Sequence, residues 1–311
     1  MFNFYGAVSY RLFFFEICIN MSPLLLMILS TLCLSLSGFV AKCLEGIVPI
    51  NALLIARLFI PAAIMLVVAF WVKASVPSFR ATLVISRRSV FIALTQFCFF
   101  SALVNLSLIE LAVLFSTGPL FIPVIERVLY GVKLSLPVIL TLTMSFTGLI
   151  IQSGISDGIH FQWGMVPGLF AGFFNACSQV SMYRASKIKA HSLMINGISF
   201  FVAAILVLPV SFLMVDRNVS MGAVSLFPYV ILIAVMGGLS VGTQLFRTSA
   251  YRKAISTAEL APIFYLNILI SALMQVLFFD ERFTSHQILG LSLIVTSCVA
   301  YSYLSVLKIK R

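Results

Sequence analysis

Long apolar stretches separated by short polar turns dominate this chain. Ten of them hold about 20 residues each, at approximately 22–43, 50–72, 89–108, 112–131, 134–153, 161–183, 194–214, 227–247, 257–279 and 286–307. A helix needs roughly 20 mostly apolar residues to cross the hydrocarbon core of a bilayer. Strands of a membrane barrel would instead alternate in polarity over about ten residues. The pattern therefore predicts an all-α membrane protein with ten transmembrane helices.

The composition is that of a protein solvated by lipid. Of the 311 residues, 61% are hydrophobic and 9% are charged, and the mean hydropathy is +1.14, whereas a soluble domain averages about 25% charged residues. The connections are short, so the chain forms one polytopic membrane domain. Residues 1–20 fit the pattern poorly. An interfacial helix and a true start at Met21 both remain open for this N-terminal extension.

Basic residues mark one side of the predicted membrane domain. With the N-terminus inside, most of the 20 basic residues fall in predicted cytoplasmic loops and tails, among them Arg87, Arg88, Arg247, Arg252 and Lys253. Such a bias sets the orientation of membrane helices. We therefore expect both termini in the cytoplasm and the protein in the inner (plasma) membrane. The net charge of +11 is interpreted as a topology signal and not as a nucleic-acid interface.

The chain contains one pattern twice. Residues 95–112 read TQFCFFSALVNLSLIELA, and residues 243–261 read TQLFRTSAYRKAISTAELA. Further along, Glu126 aligns with Gln275 at a spacing of 149 residues. Because five predicted helices separate equivalent points, the halves 21–153 and 154–311 are expected to lie inverted in the membrane. Inverted repeats are typical of secondary transporters, which expose one site alternately to each side.

Several segments resemble the EamA-type family of the drug/metabolite transporter superfamily. They are ALLIARLFIPAA with Arg57, LFSTGPLFIPVI with Pro119, and FFDERFTSHQILGLSLIV with Glu281. The run AYRKAISTAELAPIFY is similar to the subgroup of S-adenosylmethionine uptake carriers and metallophore and amino-acid exporters. Val132 stands where the family usually has a glutamate. The resemblance implies a central cavity lined by helices 1–4 and 6–9, with helices 5 and 10 at the periphery.

Arg57 is the sharpest candidate for ligand binding. It lies eight residues past Pro49, about 12 Å along the helix at roughly 1.5 Å per residue. A charge at this depth is costly and usually functional. A substrate anion could pair with it through two parallel hydrogen bonds. The alternatives are that Arg57 extends to the outer headgroups or pairs with Glu45 or Glu110.

Uncharged polar residues within the apolar stretches form a second set of substrate-binding candidates. Such groups either bind ligand or join helices by hydrogen bonds, and the sequence leaves both roles open. Gln96 and Gln244 begin the two copies of the repeated pattern. The set consists of Gln96, Asn175, Gln179, Gln244, Tyr265 and Asn267.

Helix 4 carries the candidates for gating or proton transfer. Pro119, Pro123 and Glu126 fall on one helical face, and prolines bend or loosen a helix. A bent helix with one acid suits a gate or a proton carrier. The alternative is that Glu126 pairs locally with a basic neighbour near the cytoplasmic end. Gln275, the repeat equivalent of Glu126, and Tyr251 complete this group.

These features predict a secondary carrier with no cofactor and no metal, not an enzyme. The sequence contains neither a P-loop nor an HExxH motif. The expected partners are the lipid bilayer and a small polar substrate: an amino acid, S-adenosylmethionine or an amino-acid-derived metallophore. A flippase for a lipid-linked substrate and a non-transporting membrane sensor or scaffold are the alternatives, and a homodimer is left open.

Overall fold

The computed structural model describes residues 21–44, 47–103, 106, 108–132, 136–152, 163–213, 227–279 and 284–309. In this part of the chain all regular elements are helical. They are α1 (Pro23–Cys43), α2 (Ile50–Trp71), α3 (Phe79–Leu103), α4 (Leu108–Phe115), α5 (Gly118–Tyr130), α6 (Leu136–Gln152), α7 (Met165–Ser186), α8 (Ser192–Leu213), α9 (Phe227–Lys253), a 3-10 helix (Ala258–Tyr265), α10 (Leu266–Phe279) and α11 (Ser285–Ile309). The N-terminal extension, Glu45 and Glu281 lie outside the described residues.

Each of the ten predicted apolar stretches overlaps one helix or one broken pair of helices. Six helices of the described part are long and apolar enough to cross a membrane, so ten spans remain a prediction. The helix α7 is not among these six. Its sequence places polar side chains between apolar ones at Asn175, Gln179, Tyr183 and Arg184.

Two helix boundaries differ from the sequence prediction. The helix α3 begins at Phe79 instead of residue 89, and α9 continues to Lys253 instead of ending at residue 247. The apolar pattern stops at the charged residues of these segments, but the backbone remains helical beyond them. Arg88 and Arg247 therefore lie on helices and not in cytoplasmic loops, which corrects the assignment made from the basic residues.

Packing between the halves follows the sequence repeat. The helix α1 packs on α9, and its repeat counterpart α7 packs on α3, the counterpart of α9. The pairs α2–α8 and α6–α11 each join a helix to its own counterpart. This exchange of equivalent contacts is expected of two similar halves around a pseudo-twofold axis.

Both halves interrupt the equivalent helix. The first break separates α4 from α5 at Ser116 and Thr117, just before Pro119, and the second lies where the 3-10 helix ends at Tyr265. Pro119 stands at the start of α5, where its missing N–H costs little. The Tyr265 hydroxyl donates to the Ser116 carbonyl, 149 residues away, at 2.9 Å. The two breaks therefore touch and satisfy a backbone group that the first break leaves free.

A glycine on α7 allows the first break to pack closely. A Cβ on Gly172 would lie 2.7 Å from the Thr117 hydroxyl and 2.9 Å from the Leu114 carbonyl. Only a residue without a side chain fits at such distances. The polar face of α7 is thereby held against the broken helix.

Candidate functional site

Two buried arginines lie between the halves of the molecule. Arg88 on α3 is 3% exposed and Arg247 on α9 is 5% exposed. We call them the arginine pair. The two charges repel one another, and Tyr251 lies close enough to interact electrostatically with both.

Arg88 is held by amide side chains of two helices in the second half. Its Nη1 donates to Asn196 Oδ1 on α8 and its Nη2 to Gln244 Oε1 on α9, each at 2.8 Å. Asn196 in turn donates to the Thr248 hydroxyl at 2.7 Å. The guanidinium also lies 5.7 Å from the centre of the Phe200 ring. These contacts fix the plane of the guanidinium and connect α3 to α8 and α9.

Arg247 is bound more sparsely. Its Nε donates to the Ser30 hydroxyl on α1 at 3.2 Å, and Ser30 donates to the Thr243 carbonyl at 2.9 Å. The guanidinium lies 5.0 Å from the centre of the Phe264 ring. Arg247 therefore connects α9 to α1 through one hydrogen bond and to the 3-10 helix through the face of the Phe264 ring.

The arginine pair keeps unused hydrogen-bond donors. Arg88 Nε and Arg247 Nη2 are buried and have no hydrogen-bond partner. Among the side chains that the structure describes, no carboxylate lies within salt-bridge distance of either arginine. A buried charge without a partner is strongly unfavourable. The site is thus complementary to an anion.

A row of polar side chains leads from the arginine pair to the first break. The Tyr251 hydroxyl donates to Gln179 Oε1 at 3.2 Å, and Gln179 Nε2 lies 3.5 Å from Asn175 Oδ1. A Cβ on Gly118, the first residue of α5, would lie 3.4 Å from Asn175 Nδ2. Tyr251 and Gln179 are buried, whereas Asn175 is half-buried. The row offers both donors and acceptors to a bound molecule.

The end of the bundle predicted to face the cytoplasm is closed by reciprocal hydrogen bonds. Lys187 Nζ donates to the carbonyls of Arg252 and Ala254, while Arg252 donates to the carbonyls of Ser186 and Ala190. We call these contacts the basic latch. Burial lowers the pKa of the Lys187 ammonium from its ordinary value, and nearby Glu259 partly opposes that shift.

Glu126 on α5 joins that helix to the start of the 3-10 helix. Its side chain is completely buried, and its two oxygens accept from the backbone N–H groups of Thr257 and Ala258 at 2.8 and 3.0 Å. A carboxylate at a helix N-terminus is stabilised by the free N–H groups there. Glu126 does not pair with a basic neighbour in the described part of the chain, which corrects the alternative considered from the sequence.

Nine of the predicted site residues fall into four groups. Gln244, Gln179, Asn175 and Tyr251 lie around or beside the arginine pair. Tyr265 lies at the meeting point of the two breaks. Glu126, Pro119 and Pro123 are buried on α5. Asn267 lies on the first turns of α10, and its Oδ1 accepts from the Ser35 hydroxyl at 2.7 Å.

Three predicted residues are not assigned to these groups. Gln96 lines an apolar groove of about 280 Å³ between α2, α3 and α8. Gln275 lies on α10, and its side chain is outside the described residues. Arg57 makes no hydrogen bond with a described residue. Leu66 packs on Gly197, next to Asn196, so Arg57 lies nine residues, roughly 13 Å along α2, from the level of Arg88.

Sequence reasoning missed the arginine pair itself. Arg88 directly follows Arg87, which is exposed, and nothing in the sequence separates the two. A signal was present at Arg247, because Gln244, Arg247 and Tyr251 recur at helical spacing and share a face of α9. That face was hidden by the assumption that basic residues mark loops.

The two-repeat fold is that of a family of membrane transporters. The chain belongs to the EamA-like transporter family, whose sequence profile matches it twice, at residues 21–154 and 162–303. It is therefore a transporter of the drug/metabolite superfamily, with one family repeat in each half.

Comparison with solved structures supports the same fold. Twenty-nine chains match, and one of them, "Crystal structure of protein", superposes with a TM-score of 0.73 at 18% sequence identity. The match covers 91% of this chain and 96% of that chain. No curated protein matches the sequence.

Proposed function

We propose that this protein is a secondary transporter that moves a small, polar, amino-acid-like metabolite across the inner membrane by alternating access. Amino acids, S-adenosylmethionine and amino-acid-derived metallophores are the substrates in scope. The observation that carries the proposal is the arginine pair with its row of polar groups, enclosed where α1, α3, α7 and α9 of the two halves meet. Polar groups at the interface of two repeats are the usual place for a transported molecule.

The described conformation corresponds to a state closed towards the cytoplasm. With both termini cytoplasmic, the basic latch and Glu126 lie between the arginine pair and that side. Movement of the substrate inward then requires the two halves to separate on this side. The latch contacts join the end of α7 to the end of α9, and these helices belong to one half. The Glu126 contact joins the two halves, so its release is the step that separates them.

Exchange or facilitated flow fits the site better than proton coupling. Both oxygens of Glu126 accept from backbone N–H groups. A protonated carboxyl group would lose one of these two acceptors and would leave a backbone N–H unpaired. Glu126 therefore serves best as a hydrogen-bond acceptor that holds the closed state.

Counterflow in proteoliposomes tests this function. Labelled amino acids and labelled S-adenosylmethionine are added outside vesicles that contain either buffer or an excess of the same unlabelled compound. We expect at least one compound to enter, and to enter faster when unlabelled compound is inside. Protein-free vesicles serve as the control. Absence of flux for every compound, with protein that runs as a folded species in size-exclusion chromatography, would contradict the proposal.

A further inference from the structure

We infer that Arg88 and Arg247 bind the carboxylate of the transported molecule. This inference rests on the proposed function and specifies the chemical group by which the substrate is recognised. Two buried charges of the same sign destabilise a membrane protein, and no acid among the described side chains neutralises these two. Such an arrangement is retained when a ligand supplies the missing charge.

The protein's own described acids cannot neutralise the pair. Both oxygens of Glu126 are held by backbone N–H groups at the start of the 3-10 helix. Glu259 accepts from the Ile255 backbone N–H at 2.8 Å. These are the acidic residues whose side chains the structure describes. Tyr251 interacts electrostatically with both arginines but carries no carboxylate.

One carboxylate can accept hydrogen bonds from all of the free donors. Arg88 Nε carries one N–H bond and Arg247 Nη2 carries two, and all are without a partner. A carboxylate presents two oxygens with about four acceptor sites, whereas a phosphate presents more oxygens and a higher charge than these donors satisfy. A hydrogen bond between a guanidinium and a carboxylate is about twice as strong as a neutral one.

The surroundings position the remainder of the substrate. Gln179 Oε1 and Asn175 Oδ1 are acceptors on α7, and the row that they form leads away from the arginines towards the first break. A molecule with its carboxylate at the arginine pair would place an ammonium or another donor along this row. The Phe264 ring next to Arg247 supplies an apolar wall.

Thermal stability of the purified full-length protein in detergent tests the anion site without knowledge of the substrate. The probes are sodium acetate and inorganic phosphate at equal ionic strength. The variants are Arg88→Gln and Arg247→Gln, with Arg87→Gln as the matched control, because Arg87 is the exposed neighbour of Arg88. Ligand that binds only the folded protein raises its melting temperature.

We expect acetate to raise the melting temperature of the wild type and of Arg87→Gln by a few degrees in a saturable manner. The rise should be absent in Arg88→Gln and Arg247→Gln. Equal stabilisation of the arginine variants, or no effect on the wild type, would overturn the inference. A larger, arginine-dependent effect of phosphate would also overturn it, since the site would then prefer a phosphoryl group. If Arg247→Gln does not fold, Arg247→Lys, which keeps the charge but loses the fork, should retain a weaker acetate effect.

Transport measurements separate failure of this inference from failure of the proposed function. A transported amino acid is compared with its carboxamide, which keeps the ammonium and loses the carboxylate charge. We expect the carboxamide to enter at least tenfold more slowly. Equal rates for the two compounds would overturn carboxylate recognition but would still support the proposed transport function. Arginine-dependent acetate binding without any flux would support the carboxylate site and contradict the proposed transport function.

Discussion

Gln96 and Gln244 begin the two copies of the repeated pattern, yet their surroundings are opposite. Gln244 accepts a hydrogen bond from Arg88 within the polar site, whereas Gln96 lines an apolar groove. The repeat thus duplicates the helical framework and not the chemistry. A symmetric framework allows two conformations of similar energy, and an asymmetric site binds a polar molecule in one orientation.

The largest expected difference is between the flux of a variant at Arg88 and the flux of a variant at Arg57. Arg88→Met should reduce flux by about 100-fold or more, because it removes a charge-assisted contact and orphans Asn196 and Gln244. Arg57 lies roughly 13 Å away along the helix axis and is not expected to contact the substrate. Arg57→Met should therefore reduce flux less than about tenfold. Initial uptake rates at matched protein density give both values. Equal losses in the two variants would place Arg57 in the same site.

Glu126→Gln tests the contact that joins the halves. The amide of the variant keeps one oxygen that can accept, but its NH₂ group faces the second backbone N–H. One hydrogen bond to a charged group is therefore lost, which should lower the free energy of unfolding by about 1.5–3 kcal/mol. We expect a lower midpoint of chemical unfolding. Single-molecule distances across the latch side should shift towards open conformations. An unchanged distribution would show that Glu126 does not hold the closed state.

The two glutamines themselves offer a matched pair. Gln244→Leu removes the acceptor of buried Arg88 Nη2 and should destabilise the protein by about 1–3 kcal/mol. Gln96→Leu, in apolar surroundings, should be neutral or slightly stabilising. Urea or detergent titrations of both purified variants measure the difference. Similar effects of the two substitutions would remove the contrast on which this comparison rests.

The smallest expected effect concerns the contact between the two breaks. Tyr265→Phe deletes the hydrogen bond to the Ser116 carbonyl and should cost about 0.5–1.5 kcal/mol. Tyr130→Phe is the control, because its ring still faces Arg184 at 3.6 Å when the hydroxyl is removed. Urea or detergent titrations of the two purified variants measure the difference in stability between them. A loss in Tyr130→Phe as large as that in Tyr265→Phe would mean that the breaks gain no specific stability from touching.

The positions of the helices could be predicted from the sequence because burial in lipid leaves long apolar stretches. The break near Pro119 was also accessible, since prolines weaken helices. The arginine pair was not, because hydropathy treats Arg87 and Arg88 alike while the structure exposes one and buries the other. Which face of a helix meets its neighbours depends on long-range packing. The sequence around Arg88 does not show that Asn196 and Gln244 converge on this arginine from two other helices.

Counterflow by Arg247→Gln measures most directly whether the arginine pair is the substrate site. The compound is whichever amino acid or S-adenosylmethionine label the wild type exchanges, and Arg87→Gln is the control at equal protein density. We predict that wild type and Arg87→Gln show flux accelerated by internal unlabelled compound, while Arg247→Gln folds but shows none. Wild-type counterflow in Arg247→Gln would contradict it, and the buried charge would then have a structural role.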